Sequence, residues 1–417
     1  MVESRTLGVL FMSFRTACIF LLLAEANAQV MTERDAVSAF LSESPQTREL
    51  RAGVEAVEAE TRGWSLWANP NASYSREGAS VNQLWQIEQR LPLSGRLGYL
   101  RQAGGAAVSA AQSQSAFQRW QGISAVRAAF YDVVAAQERE KVIRANLDRL
   151  SEITRILSER EKHGEGSTYD RLRAERERAE IETELLTSRV AIAQARSRLA
   201  ALLRPNTEPS GIVASGELRT ATDVPPVPEL HQRALEIRGD YRAQEKEIEQ
   251  YQLSQRAAQR LRVPEPSVVA GFNRAQVGPG MASGSYIALS VPVPLFNDGR
   301  TEVARFRAEA ERTQARREML KQRIFAELSG AHSALQLQRA AADEYRRGLE
   351  TQGQRLEQIA QAAYQEGELD ILALLDAWRV SLQSRLRLLD LNAACKQAEI
   401  ELERVAGEPV VNKGVLP

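Results

Sequence analysis

The feature that most constrains this chain is a run of apolar residues too long for any globular core. From Phe306 through Ile324, Leu328, Leu335, Ala342, Leu349, Leu356 and Ile359 to Ala363, apolar side chains recur mostly at steps of three, four or seven, the signature of one helix face. A less regular counterpart runs through Phe117, Val126, Phe130, Val133, Ile143, Leu150 and Leu157. At about 1.5 Å per residue, a helix from Arg96 to Lys162 is roughly 100 Å long. The stripe is narrow and alanine-rich, with Glu, Arg and Gln around it, which predicts coiled-coil-like packing of long hairpins.

The two rods belong to two copies of one pattern. NPNASYS (69–75) parallels EPSVVAG (265–271), RLPLSGR (90–96) parallels VPLFNDGR (293–300), and GEGSTYDRL (164–172) parallels EGELDILAL (366–374). Each unit reads as helix, two strands, very long helix, tight turn and returning helix. The strand-to-helix joints are punctuated by Pro92, Ser94 and Gly95 in the first unit and by Pro292, Pro294, Asn297, Asp298 and Gly299 in the second. Proline withholds a ladder donor and suits a strand end; the Asn-Asp-Gly run predicts a turn and an N-cap.

Ile287, Leu289, Val291 and Val293 alternate with Tyr286, Ala288, Ser290 and Pro292, and Trp85, Ile87 and Leu91 form a similar side in QLWQIEQRL. Alternating segments of about ten residues bounded by loops, here REGASVN and VGPGMASGS, match outer-membrane strands. Four such strands cannot close a barrel, and an open edge in lipid leaves backbone groups unpaired at several kcal/mol each. Spanning strands therefore require several chains in one barrel; two or three copies remain open at this level.

Other functions find little support. Lys plus Arg equals Asp plus Glu at 54 each, so no pull toward nucleic acid is expected. Arg5 and Arg15, the apolar run from Ala17 to Leu23 and ANA at 26–28 predict an export signal over 1–28, and no later segment is a membrane-helix candidate. Cys18 lies in that signal, and Cys395 reads as a small apolar residue on a helix face. With His163, His231 and His332 scattered, no metal site, cofactor or disulfide is expected. GPGMASG (278–284) lacks the helix that would hold a phosphate, and no catalytic constellation appears.

The doubled P-L-x-(x-x)-G-R joint before a long helix, the NPN near the first strand and ALEIRGDYRAQEKEIEQ (234–250) resemble the TolC-like outer-membrane efflux proteins, and LPLSGR resembles the CzcC-type heavy-metal branch. The resemblance implies a mainly α fold with a small β part: a homotrimer whose four strands per chain share one barrel in outer-membrane lipid and whose hairpins continue it through the periplasm. It implies a signal (1–28), a first repeat (29–204), a linker (205–228), a second repeat (229–406) and a tail (407–417). Within these, 32–68 and 229–262 are the shorter helices rising to the membrane, 96–162 and 300–365 the full-length ones descending from it, and 169–204 and 371–406 return from the far tips. The linker contributes to an equatorial belt, in which Ile212 and Val213 suit a short strand, the alternative being a disordered connection.

The implied partners are a periplasmic adaptor (membrane fusion protein) and an inner-membrane RND-type pump, and the implied work is passive conduction outward. The implied adaptor-contacting tips are Gly164, Gly166, Ser167, Thr168, Gly367, Glu368 and Leu369, with Ser167 and Asp170 suited to a capping box. Relatives carry D-x-x-D-A past the second tip; ALLDA here keeps Asp376 and puts Ala373 at the other acidic position. Asp376, with Asp370 as a substitute or merely a cap, is the expected pore constriction, favouring cations if ringed. The competing reading is a periplasmic coiled-coil scaffold or adaptor without a pore.

Overall fold

Residues 29–78, 82–220 and 224–410 are described by a computed structural model. The expected signal, linker residues 221–223 and tail residues 411–417 lie outside the described residues. In chain order the first half holds β1 (Gln29–Met31), α1 (Glu33–Glu43), α2 (Pro45–Trp64), β2 (Asn71–Glu77), β3 (Asn82–Arg90), α3 (Arg96–Lys162), α4 (Thr168–Leu202) and β4 (Ile212–Ala214). The second half holds α5 (Val227–Ile237), α6 (Gly239–Gln259), β5 (Ser267–Val277), β6 (Gly280–Ser290), α7 (Arg300–Tyr345), α8 (Thr351–Gln365) and α9 (Ile371–Ala406). The predicted class holds: long helical hairpins carry a four-stranded antiparallel sheet of order β2-β3-β5-β6.

α3 is the spine, 67 residues long. α2 and α6 pack on it nearer the sheet; α4 and α9 pack on it toward the tips. At mid-length a belt forms where β1 pairs in parallel with β4, Gln29 opposite Ile212 and Met31 opposite Ala214. Its core gathers Phe40, Val126, Phe130, Leu199 and Ile400. Phe40 seats on Gly122, where a Cβ would lie 2.3 Å from the ring, so only glycine lets α1 dock this closely. A second core toward the tips joins Ile143, Leu150 and Leu157 to Ile371, Leu374, Trp378 and Leu382, binding the two hairpins together. Burial of this apolar face is the main stabilising term.

Three expected helices are interrupted. The 32–68 segment is two helices because Ser44 caps a new start, its Oγ accepting from Thr47 N at 3.1 Å, with Pro45 at the first position. Proline there needs no N–H partner. The 229–262 segment breaks at Arg238, which is extended at ψ 121°, before Gly239; a Cβ on Gly239 would stand 2.1 Å from Ser113 O of α3. The 300–365 rod is broken by a π-helical turn, Arg346–Glu350. Such a turn adds a residue and rotates the downstream helix face by about 100°. Leu356 and Ile359, expected on the buried stripe, are therefore 54% and 56% exposed, while Glu357 and Ala360 turn inward.

Candidate functional site

The sheet has two chemically different faces. Register sets Trp85 between Tyr74 and Phe272, its ring centroid 5.2 Å from the first and 6.1 Å from the second. The next row on that side is Ala72, Ile87, Ala270 and Ile287, followed by Gln89, Val268 and Leu289. Ile287 is 82% exposed, an arrangement that costs free energy in water. From Gly280 to Ser290 β6 advances about 34 Å, or near 26 Å along a barrel axis at ~40° tilt. The opposite face carries Ser73, Ser75, Gln86, Glu88 and Ser290. There Tyr286 Oη donates to Gln86 Oε1 at 2.7 Å, and the Tyr286 ring crosses Gly271, where a Cβ would come within 2.4 Å. The outer edges of β2 and β6 have no strand partner among the described residues.

The joints repeat one geometry. Leu93 N donates to Leu91 O, and Leu295 N to Val293 O, both at 2.9 Å, so Pro92 and Pro294 are the central residues of two tight i→i+2 turns. Pro292 lies just beyond the ladder, which ends at Ser290. Gly95 and Gly299 then start α3 and α7 with φ of 75° and 81°, the left-handed region that glycine enters without penalty. The helix starts therefore carry glycine, not Asn297 or Asp298, at the N-cap. Those two side chains instead accept from Gly299 N and Arg300 N, each at 3.2 Å. Ser94 Oγ, buried, accepts from Arg96 N at 3.2 Å and donates to Glu265 Oε1 at 2.5 Å, tying the first joint to the start of the second sheet half.

At the other end, Gly164 and Gly367 take φ of 75° and 78°. Gly166 has no room for a Cβ, which would lie 2.9 Å from Glu161 N. Ser167 Oγ accepts from Tyr169 N at 3.2 Å; the expected capping box with Asp170 does not form. Glu161 instead accepts from Thr168 Oγ1 at 2.6 Å and from Arg171 Nε, and these hydrogen bonds hold its carboxyl below the usual range. In the second tip Glu368 N and Leu369 N both donate to Ala363 O, at 2.8 and 3.3 Å. Asp370 accepts from Ala373 N at 2.9 Å and so caps α9. Asp376 is exposed on α9. Six residues from Asp370, it sits about 240° around the helix axis, so one protomer does not present the two carboxylates as a pair.

Sequence reasoning missed the ion pairs that fasten the hairpins near the tips. Glu177 of α4 holds Arg379 of α9 in a two-pronged contact at 3.1 and 2.7 Å, and the hydrogen bonds and charge of Glu177 raise the Arg379 pKa. Glu357 of α8, buried by the π-turn, accepts from Ser381 at 2.5 Å, from Arg385 at 2.8 Å and from Arg149 of α3. No local pattern marks these partners, which lie 202 and 208 residues apart for Arg379–Glu177 and Arg149–Glu357. At the belt, Arg127 bridges Glu33 and Glu403, both at 2.5 Å. Despite burial, those two charges raise the Arg127 pKa. Burial and the adjoining Glu33 push the Tyr131 hydroxyl strongly upward. Cys395 is buried beside Ala342 and Leu391, as an apolar filler would be.

A family model described as outer membrane efflux protein matches residues 230–408. The cobalt-zinc-cadmium resistance protein CzcC of Cupriavidus metallidurans is 28% identical over 281 residues, 67% of this chain and 66% of that protein's own length. The open-state MtrE outer membrane channel of Neisseria gonorrhoeae superposes with a TM-score of 0.73 at 18% identity, covering 91% of this chain and 89% of that one. The CmeC outer membrane channel of Campylobacter jejuni gives 0.72 at 14% identity, covering 98% and 95%. These structural likenesses establish the fold.

Proposed function

We propose that this chain is a member of the outer membrane efflux family, TolC-like in fold, and that three copies form one passive exit duct through the outer membrane and periplasm. The observation that carries this reading is the sheet: one apolar face, one polar face, and two open edges. Three copies placed edge to edge make twelve strands, leave no edge in lipid and turn the polar face to the lumen. The glycine-started joints let each wall strand pass into a wall helix within a few residues, and the hairpins prolong the lumen.

The tips at Gly164–Thr168 and Gly367–Leu369 are the proposed docking points for a periplasmic adaptor, through which an inner-membrane pump supplies the energy. Likeness to CzcC supports heavy-metal ions as cargo. Asp376, exposed near the second tip, is the proposed constriction, as a ring of three like charges favours cations. Arg379, one turn on and held by Glu177, fixes the helix that carries it.

Light scattering on the detergent-purified protein, followed by planar-bilayer recording, tests this. Three copies per particle and cation-preferring conductance are expected, with Asp376→Ala lowering the cation preference. A single-chain particle that washes from membranes in carbonate would favour the poreless scaffold. Conductance with an unchanged preference in the variant would remove Asp376 from the gate while leaving the duct.

A further inference from the structure

Near the rim of the sheet farthest from the helices, three residues short of the outer end of β5, lies a charge pattern that conduction does not use. Register places Arg76, Gln83, Arg274 and Ser283 in one row, one step beyond the Tyr74–Trp85–Phe272 row and on the same apolar side. Both carboxylates of the sheet, Glu77 and Glu88, point to the opposite face, since successive strand residues alternate. Neither the Arg76 nor the Arg274 guanidinium has an ion pair or hydrogen bond among the described residues. The connecting sequences Ala79-Ser80-Val81 and Gly278-Pro279 offer no carboxylate either. Arg76 and Arg274, on strands about 10 Å apart across Gln83, therefore border an apolar, aromatic-lined surface, with Gln276 and Met281 one row further out on the same side and no anion among the described residues to pair with.

We propose that this row binds the phosphate of an outer-leaflet amphiphile whose acyl chains lie against Ile87, Phe272 and Ile287. The inference rests on the reading of the sheet as a barrel wall. Given that orientation, the β2–β3 and β5–β6 turns are the outer ends, because the other ends run into the long helices. A guanidinium matches phosphate with paired donors, and its stem lies on apolar surface while its head reaches the interface. The aromatic row marks the same boundary from below. Charge complementarity selects the occupant: the surface asks for an acyl chain and an anion together, which a soluble phosphate does not supply.

Native mass spectrometry of the detergent-solubilised oligomer, titrated with diphosphoryl lipid A and with its phosphate-free counterpart, tests the proposal. The phosphorylated lipid should be retained at roughly tenfold to thirtyfold lower concentration. The double variant Arg76→Gln/Arg274→Gln should erase that preference, Arg76→Lys/Arg274→Lys should keep most of it, and excess inorganic phosphate should not displace the lipid. Equal retention of the two lipids, an unaltered Gln variant, or displacement by inorganic phosphate would each overturn it. Vesicle insertion separates the two readings: protein that inserts without headgroup preference refutes this site alone, and protein that does not insert refutes the barrel wall with it.

Discussion

Replacing Arg127 by Met should expose how the equatorial belt is held. The guanidinium is 4% exposed and lies between Glu403 at 1% and Glu33 at 12%. It joins α1, α3 and α9 at one point. Methionine keeps the volume and deletes the charge. Glu33 still accepts from Tyr131 Oη at 2.7 Å, but among the described residues the Glu403 carboxylate keeps only the Val410 N–H, at 3.1 Å. Removing one partner of a buried pair costs about 3–5 kcal/mol, mostly for the charge left behind. With an unfolding entropy near 2.1 cal/mol/K per residue over roughly 380 residues, that corresponds to a midpoint lower by about 4–6 °C. Thermal scans of the helical circular dichroism signal measure it. The double variant Arg127→Met/Glu403→Gln should recover most of the loss, because an amide in the same place needs no counter-charge. A double variant as unstable as the single one would refute the reasoning, showing that the loss came from packing and not from a stranded carboxylate.

Two further outcomes rest on named contacts. Gly299→Ala should be far worse than Gly95→Ala in yield of folded oligomer: both residues sit at positive φ, costing about 1–2 kcal/mol for any side chain, but only at Gly299 does the new Cβ meet Ala258 O at 2.4 Å. Equal yields would refute the crowding argument. Arg379→Ala should raise single-channel conductance and protease access at the tips. Arg379 is 40% exposed, so the pair is screened and the stability loss should be only about 1 kcal/mol; Glu177→Gln should act in the same direction, and opposite effects of the two variants would break the link.

The chain's own pattern determined the architecture because that information is local. Periods of two and of three to four, prolines withholding donors and glycines entering left-handed conformations act over a few residues and read the same in both copies. They gave the strands, the rods and the joints at Pro92–Gly95 and Pro292–Gly299 before any contact was known. Tertiary structure decided what depends on partners far away in sequence. Phe40 needs Gly122, Gly239 makes room for Ser113 O, and Arg127 meets a carboxylate 276 residues further on. The π-turn at Arg346–Glu350 belongs with these, since one extra residue leaves the apolar spacing of α7 intact and shows only as Glu357 buried among Arg149, Ser381 and Arg385 where Leu356 was expected. Local preference sets the elements, but their phase and their ion pairs are chosen by whichever surface is brought against them.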